Sequence, residues 1–177
     1  MKHYDHPTEP SRFLVENIGL LMPGKALDIA MGTGRNSIYL AQQGFSVTGV
    51  DVSPATIALA KERAREAGVT IVTVTADLET SGYRTVPGTW DNIICFNYLY
   101  RPLIPEMRGG LRPGGVIVYE TFLIDQQQFD GPHNPDYLLN HNELLDMFRD
   151  FRVLRYREGI MEPGKVVAGI IAIKPDR

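Results

Sequence analysis

The sequence predicts one α/β domain in which parallel strands and helices alternate in a doubly wound sheet. From residue 26 to about residue 150, short apolar runs alternate with helical patterns, which is typical of a sheet with parallel strands. The chain has 177 residues, of which 44% are hydrophobic, so it can bury one full core but is too short for two ordinary domains. We therefore expect a single domain over residues 1–177, with residues 1–22 as an N-terminal segment or helix, and a role of that segment as a lid is left open.

Apolar runs with alternating or continuous patterns mark the strands. Two late runs, FRVLRYRE (151–158) and KVVAGIIAIK (165–174), flank a short segment that contains Pro163-Gly164, and this arrangement predicts a hairpin. The earlier runs predict strands at 26–30, 45–51, 70–75, 91–96 and 115–121.

Capping residues mark two of the helices. The helix predicted over 54–67 follows a Ser53 cap and ends at Gly68. Asn140 stands three residues before Glu143, and this spacing predicts a second helix start that packs on the sheet.

Composition limits the partners and the compartment. The net charge is −3 and the basic residues are scattered, which argues against a nucleic-acid surface. Cys95 is the single cysteine and lies in the apolar run DNIICF, so an internal disulfide is excluded and a core position is favoured over a nucleophile. Because no signal region or apolar stretch near ~20 residues is present, we expect a cytoplasmic protein without a membrane partner.

The run LDIAMGTGRNS (27–37) predicts a cofactor site. An apolar strand ends in Asp28, and Gly32-Thr33-Gly34 opens a helix, so a ligand can lie against backbone N–H groups there. Ser37 stands where a dinucleotide fingerprint has its third glycine. A carboxylate at the strand end suits the amino and sulfonium groups of S-adenosyl-L-methionine better than a pyrophosphate. We expect valine at either glycine to abolish cofactor binding while leaving the fold mostly intact.

Two more acids follow the next two predicted strands. Asp51 ends the run FSVTGVD, where a carboxylate can accept both ribose hydroxyls of the cofactor. Ser53 already fills the cap of the following helix, which favours the ribose role for Asp51 over a capping role. Asp77 follows the third strand and is placed to receive the adenine amino group.

These motifs resemble those of class I S-adenosylmethionine-dependent methyltransferases, and in particular the small tellurite-resistance-type enzymes. The resemblance spans almost the whole chain, including the fourth strand (90–97), the turn LRPGG (111–115) and the run GRNS (34–37) that is typical of the tellurite-type branch. It implies a Rossmann-like, doubly wound, seven-stranded sheet, mostly parallel with an antiparallel last strand and with helices on both faces. Ala30 departs from the family pattern, which has a glycine there.

The motifs and the resemblance together give a set of cofactor contacts. Arg35, directly behind the glycine turn, can orient the loop or the neighbouring acids. The predicted cofactor-binding residues are Asp28, Ala30, Gly32, Thr33, Gly34, Arg35, Asn36, Asp51, Val52, Asp77, Leu78 and Asn97.

Candidate catalytic residues follow the fourth and fifth strands, because ligands of open α/β sheets bind beyond the carboxyl ends of the strands. Arg101 can grip an anionic acceptor, although an ordinary surface arginine is an equal alternative. Tyr98, with Tyr100 and Tyr137, forms either a substrate cage or loop packing. His133 is a conceivable general base, although a structural role in its loop is favoured. No pair of histidines has metal-ligand spacing, so we expect no metal.

The implied reaction is in-line transfer of a methyl group to a small-molecule acceptor, for example an oxyanion or a soft nucleophile. Holding the methyl donor and the acceptor in a near-attack geometry can lower the activation barrier by roughly 7–11 kcal/mol, so a dedicated base is dispensable. Two alternatives remain open: a non-catalytic adenosylmethionine sensor and an NAD-dependent oxidoreductase. The latter leaves Asp28, Asp77 and the late hairpin unexplained.

Overall fold

The computed structural model describes residues 7–80 and 82–176. Their strands form one seven-stranded sheet in the order β3-β2-β1-β4-β5-β7-β6. The strands are β1 Lys25–Ile29, β2 Ser46–Asp51, β3 Val72–Thr75, β4 Trp90–Phe96, β5 Leu111–Phe122, β6 Arg152–Glu162 and β7 Lys165–Ile173. The α-helices are α1 Arg12–Glu16, α2 Arg35–Gln42, α3 Pro54–Glu66, α4 Ile104–Gly110 and α5 Glu143–Met147.

The sheet has the predicted mixed character. Strands β1 to β5 pair in parallel, whereas β7 runs antiparallel to both β5 and β6. The predicted hairpin is therefore confirmed, and the last strand is inserted between β5 and β6. The carboxyl ends of β1, β2 and β4 meet at one edge, where the predicted cofactor residues follow the strands.

Helices cover both faces of the sheet. One apolar core contains Phe13 of α1, Leu40 of α2 and Ile57 of α3. The opposite core contains Met107 of α4 and Leu144 of α5. The doubly wound architecture expected from the sequence is confirmed by this distribution.

The helix predicted over 54–67 is confirmed with its capping chemistry. Helix α3 begins at Pro54, and the Ser53 Oγ accepts a hydrogen bond from the Thr56 N–H at 3.2 Å. After the helix ends, Gly68 adopts a left-handed conformation with φ +70°. This is the glycine stop that the sequence predicts.

Two departures from the predicted alternation concern helices. Between β3 and β4, the described residues of segment 76–89 form turns and irregular chain instead of a helix. Helix α5 begins only at Glu143 and has five residues. The Glu143 carboxylate accepts a hydrogen bond from the Asn140 N–H at 2.7 Å, so the predicted spacing makes one contact without starting the helix at Asn140.

Candidate active site

Two neighbouring cavities form a cleft at the carboxyl edge of the sheet. The first, here called the Asp28 cavity, has a volume of about 240 Å³ and is bounded by β1, the glycine loop and the end of β4. The second, the Asp51 cavity, has about 170 Å³ and lies beside the ends of β2 and β3. Ala30 lines both cavities. The cleft therefore extends past Ala30, as an elongated ligand with two different ends would require.

The loop between β1 and α2 has the backbone geometry that the glycines predict. Gly32 and Gly34 have φ of +57° and +81°, in the left-handed region that favours glycine. Ala30 is also left-handed, with φ +55°, at the position where the resemblance places a glycine. The loop path is thus kept at this position despite the added methyl group.

Gly34 has a packing role in addition to the predicted role in the cofactor loop. A Cβ built on Gly34 would lie 3.0 Å from the Cβ of Ala60 on α3, whereas a Cβ on Gly32 would meet nothing within 4 Å. A side chain at Gly34 would therefore press on α3, and the loss of cofactor binding expected for a valine variant stays a prediction. Gly34 thus allows the close approach of α2 to α3.

Asp28 is a buried carboxyl group on the wall of the cleft. Its side chain is 2% exposed, and its Oδ2 accepts a hydrogen bond of 2.6 Å from the Ser37 hydroxyl. Burial raises the pKa of Asp28 to about 7, against the opposing effects of Ser37 and Arg35. A cation placed in this cavity would favour the ionised carboxylate. Ser37 was recognised in the sequence only as a missing glycine, and its contact with Asp28 was not predicted.

Asp51 holds the glycine loop while lining the second cavity. Its Oδ2 accepts a hydrogen bond from the Gly32 N–H at 2.8 Å, and its Oδ1 accepts one from the Ser53 N–H at 3.0 Å. Each carboxylate oxygen has two lone pairs, so both can accept a further hydroxyl. The structural contact with Gly32 adds to the predicted ribose role.

Residues that follow β2 and β3 supply the apolar wall of the Asp51 cavity. Leu78 is 7% exposed and Val52 is 58% exposed, and both line the cavity as apolar surface. Asp77 also lines it, but its Oδ1 accepts hydrogen bonds from the N–H groups of Glu79 and Thr80 at 2.9 and 3.1 Å. The carboxylate of Asp77 is thus engaged with its own turn, and its contact with adenine stays a prediction.

Arg35 and Asn36 connect the Asp28 cavity to the segment that precedes α1. The Arg35 Nη1 donates to the Glu9 carbonyl at 3.0 Å, and the Asn36 Oδ1 accepts from the Ser11 N–H at 2.9 Å. Burial lowers the pKa of Arg35, and the carboxylates of Asp28 and Glu120 oppose this effect. Pro7 also lines this cavity, so the described part of the N-terminal segment borders the cleft, and a role of residues 1–22 as a lid stays a prediction.

Thr33 and Asn97 both line the Asp28 cavity. The Thr33 Oγ1 accepts a hydrogen bond of 2.6 Å from Arg63 on α3. Asn97 is exposed, has φ +56°, and its N–H donates to the Glu120 carbonyl at 2.9 Å. Their predicted cofactor contacts are compatible with these positions.

Tyr98 and Tyr100 lie against the turn after β3. The Tyr98 hydroxyl donates to the Glu79 Oε1 at 3.3 Å, and the Tyr100 hydroxyl donates to the Glu79 carbonyl at 3.1 Å. Burial and the nearby Glu79 carboxylate raise the pKa of Tyr98 above its usual range. Tyr98 lines the Asp51 cavity, whereas Tyr137 lines neither cavity of the cleft. The contacts favour packing over an aromatic cage.

Arg101 is committed to contacts within the protein. Its guanidinium makes a bidentate ion pair with Glu143, through Nε to Oε1 at 2.6 Å and through Nη2 to Oε2 at 2.9 Å. It also donates to the carbonyls of Asp136 and Leu138. Four of its five N–H donors are therefore used. Arg101 thus ties α5 and the loop before it to the segment after β4, and its predicted contact with an anionic acceptor stays a prediction.

His133 lies outside the lining of the cleft. It is exposed, and its carbonyl accepts a hydrogen bond from the Gln127 side chain at 2.7 Å. These contacts agree with the structural role favoured for its loop and give no support to a general base. His3 and His6, which the sequence places in the N-terminal segment, lie outside the described residues. His141 forms a pair with Asp125 at 2.5 Å.

A buried ion pair beside the cleft was not predicted. Glu120 on β5 is 1% exposed, and its Oε2 accepts hydrogen bonds from Arg157 on β6 at 2.5 and 2.9 Å. Gly169 on β7 is the register partner of both residues, so the arginine side chain crosses over a strand position that has no side chain. The sequence marks this site only by one acidic residue, Glu120, inside the apolar run VIVYETF (116–122).

The cysteine has the predicted core position. Cys95 is fully buried on β4, and burial raises the pKa of its thiol above the usual range. Within the described residues, no three His, Cys, Asp or Glu side chains are grouped so that they could hold a metal ion. None of the helices seen there is long and apolar enough to cross a membrane.

Comparison with known proteins gives the family. A profile described as a methyltransferase domain matches residues 26–115, which include the glycine loop, Asp51 and Asp77. The chain belongs to this family. Residues 26–115 are thus a methyltransferase domain, and the family implies S-adenosyl-L-methionine as its cofactor.

Individual relatives agree with this assignment. A glycine/sarcosine N-methyltransferase from Halorhodospira halochloris is 30% identical over 139 residues, covering 73% of this chain and 50% of the relative. A probable S-adenosyl-L-methionine-dependent methyltransferase TehB from Haemophilus influenzae is 24% identical over 152 residues, covering 84% and 53%. The chain thus spans about half the length of these curated relatives.

Solved structures confirm the fold. The crystal structure of TehB from Haemophilus influenzae superposes with a TM-score of 0.76 at 23% identity, covering 91% of this chain and 61% of that one. The resemblance to the tellurite-resistance-type branch, drawn from the run GRNS, is thereby confirmed at the level of fold and sequence similarity.

Proposed function

We propose that this protein binds S-adenosyl-L-methionine across the cleft and transfers its methyl group to a small-molecule acceptor, an oxyanion or a soft nucleophile. The observation that carries the proposal is the pair of cavities joined at Ala30, with buried Asp28 in one and Asp51 in the other. When bound, the cofactor supplies an electrophilic methyl group on a sulfonium centre. The remaining steps belong to the residues of the chain.

The residues of the cleft suit the two ends of the cofactor. In this proposal, Asp28 pairs with the amino group in the first cavity, and the neighbouring Arg35 faces the carboxylate of the same moiety. Asp51 accepts the ribose hydroxyls, while Leu78 and Val52 contact the adenine ring with apolar surface. Charged groups of opposite sign at the amino-acid end and apolar surface at the adenine end match the chemistry of the ligand.

The proposed acceptor class is supported by the protonation states of side chains in and behind the cleft. The pKa of the Tyr98 phenol is raised, and the Cys95 thiol is buried with a raised pKa, so neither serves as a base near neutral pH. His133 lies outside the cleft lining. An acceptor that is already anionic or soft needs no proton removed, and positioning then carries the rate. The relative from Halorhodospira halochloris is a glycine/sarcosine N-methyltransferase, and its small acceptors support a small acceptor here.

Cofactor binding is tested first, by calorimetry with S-adenosyl-L-methionine. We expect Asp51→Ala to weaken binding by about tenfold or more, because charge-assisted hydrogen bonds to the ribose contribute about 1.5–3 kcal/mol each. Asp176→Ala is the matched control, since this exposed aspartate follows β7 at the opposite edge of the sheet. Unchanged affinity in Asp51→Ala would remove Asp51 from the site.

Methyl transfer is tested by release of S-adenosylhomocysteine with a panel of thiols, oxyanions and phenols. Turnover with one of these small acceptors is the expected result. Cofactor binding without turnover on any acceptor would favour the sensor alternative, and activity confined to protein or RNA acceptors would contradict the small-molecule assignment. A cytoplasmic location, expected from the sequence, is tested by fractionation of cells.

A further inference from the structure

A third cavity lies at the same carboxyl edge of the sheet as the cofactor cleft, but beside β5, β7 and β6. It has a volume of about 360 Å³, between the segment 123–129 that follows β5 and the β6–β7 hairpin; we call it the hairpin cavity. None of the described residues that line it also lines the Asp28 or Asp51 cavity. Its volume is within the range of small-molecule sites, and it is unaccounted for by the methyl-transfer proposal.

The wall of the hairpin cavity is held in place by one buried amide. Gln126 is 3% exposed, and its Nε2 donates to the carbonyls of Gly131 and Gly164 at 3.0 and 2.9 Å. Its Oε1 accepts from the Val166 N–H at 2.7 Å. These bonds fasten the segment after β5 to the hairpin. A ligand would therefore enter a formed site and would have little ordering cost to overcome.

The cavity has an apolar floor and an apolar rim. Leu123 and Val166 form the floor and are 1% and 3% exposed. Phe129 and Ile160 stand at the rim and are 37% and 68% exposed. Large apolar side chains exposed beside a concave surface mark binding sites more often than isolated exposed residues do. The ligand should therefore have an apolar body.

The polar groups of the cavity carry net negative charge. Asp125 and Glu158 line it together with His141, which pairs with Asp125 at 2.5 Å. The lining has two carboxylates and one imidazole, so its charge is negative whether or not the imidazole is protonated. The Glu158 Oε2 accepts hydrogen bonds from the Asn142 N–H and the Tyr156 hydroxyl. This arrangement holds the Glu158 carboxylate in a fixed place.

We propose that the hairpin cavity is a second ligand site, separate from the cofactor cleft, that binds a small organic ammonium ion with an apolar body. The ammonium group pairs with Glu158 and Asp125, and the apolar body lies against Leu123, Val166 and Phe129. Charge complementarity selects a cation over an anion, and the apolar floor selects an alkyl or aryl amine over a polar one.

The test uses hexylammonium as the probe, with hexanoate and 1-hexanol as matched ligands of the same chain length. Binding to the full chain is followed by two-dimensional NMR, with and without S-adenosylhomocysteine. We expect hexylammonium to bind with about millimolar affinity, at least about fivefold tighter than 1-hexanol and tighter still than hexanoate. S-adenosylhomocysteine should leave this affinity unchanged. The result without S-adenosylhomocysteine stands even if cofactor binding fails, so the two proposals are tested separately.

Two variants locate the probe. Glu158→Gln keeps the acceptor oxygen for the Asn142 N–H but removes the charge, and it should weaken hexylammonium binding by about fivefold or more. Glu162→Gln is the matched control, because this exposed glutamate ends the same strand and does not line the cavity. Ile160→Lys places a cation at the exposed rim and should abolish binding. Equal binding of hexylammonium and 1-hexanol, no binding of hexylammonium, equal effects of the two glutamate variants, or competition by S-adenosylhomocysteine would each overturn the proposal.

Discussion

The Asp28 carboxyl makes cofactor binding dependent on pH. Burial raises its pKa to about 7, so below that pH most free protein carries the neutral acid. An ammonium group pairs with the ionised form, and binding must therefore release a proton. We expect the affinity for S-adenosyl-L-methionine to rise by about tenfold between about pH 5.5 and pH 7 and to level off above pH 7. Calorimetry across this range, in buffers of different ionisation enthalpy, measures both the slope and the released proton.

The isosteric variant Asp28→Asn is the control for this prediction. It keeps an oxygen that accepts a hydrogen bond from the Ser37 hydroxyl, but it cannot ionise. Its affinity should be weaker and nearly constant with pH. A pH slope in Asp28→Asn that equals the wild-type slope would assign the proton to another group.

Site residues that neighbouring residues mark could be predicted from the sequence. Contacts between residues far apart in the chain could not. Asp28 and Asp51 each end an apolar run, so their place at the cleft could be predicted from a few neighbouring residues. The partner of Arg101 is Glu143, 42 residues later, and no local pattern announces that pairing. An arginine after a strand is equally suited to an acceptor and to a glutamate, and only the folded chain decides between them.

The glycine loop shows at the scale of an element how two similar positions differ. A Cβ on Gly34 would strain a left-handed backbone and would also lie 3.0 Å from Ala60, whereas a Cβ on Gly32 would only strain the backbone. We expect Gly34→Ala to lower the free energy of unfolding by about 1–3 kcal/mol more than Gly32→Ala does. Urea denaturation measures this difference, with Gly32→Ala as the matched control. Equal losses would show that α2 can move away from α3 without cost.

Helices were harder to predict than strands for a physical reason. The predicted strands were each found within a few residues of their predicted bounds, because alternating or continuous apolar patterns mark both the buried central strands and the more exposed β3 and β6. Strand β5 begins four residues earlier than predicted because Leu111 pairs with Trp90. Helix α5 has only five residues, and its first turn uses Glu143 to hold Arg101 and Asn140. A short helix is fixed by such tertiary contacts more than by its own periodicity.

At the scale of the molecule, the ion pair of Glu120 and Arg157 joins the end of the parallel sheet to the terminal hairpin and to α1. The guanidinium of Arg157 stacks on the Phe13 ring at 4.5 Å from its centroid. The side chains of Glu120, Arg157 and Phe13 thus form a row over Gly169 that connects β5, β6 and α1. The doubly wound class and the hairpin could be predicted from the pattern of runs, but this row depends on the order β5-β7-β6, which the pattern alone does not give.

Gly169 should therefore be the position where a single methyl group disturbs this connection. A Cβ there would lie 3.0 Å from the Glu120 Oε2 and 3.0 Å from the Phe13 ring, so the carboxylate or the ring must move. Because the Glu120 side chain is only 1% exposed, displacing it weakens an ion pair whose carboxylate has no water nearby to replace the lost contact. We expect Gly169→Ala to lower the free energy of unfolding by about 1–3 kcal/mol in urea denaturation. Gly109→Ala, at an exposed helical position with no atom within 4 Å of the added Cβ, should be neutral or stabilising. Equal stability of the two variants would show that the row above Gly169 adjusts freely and does not fasten the hairpin to α1.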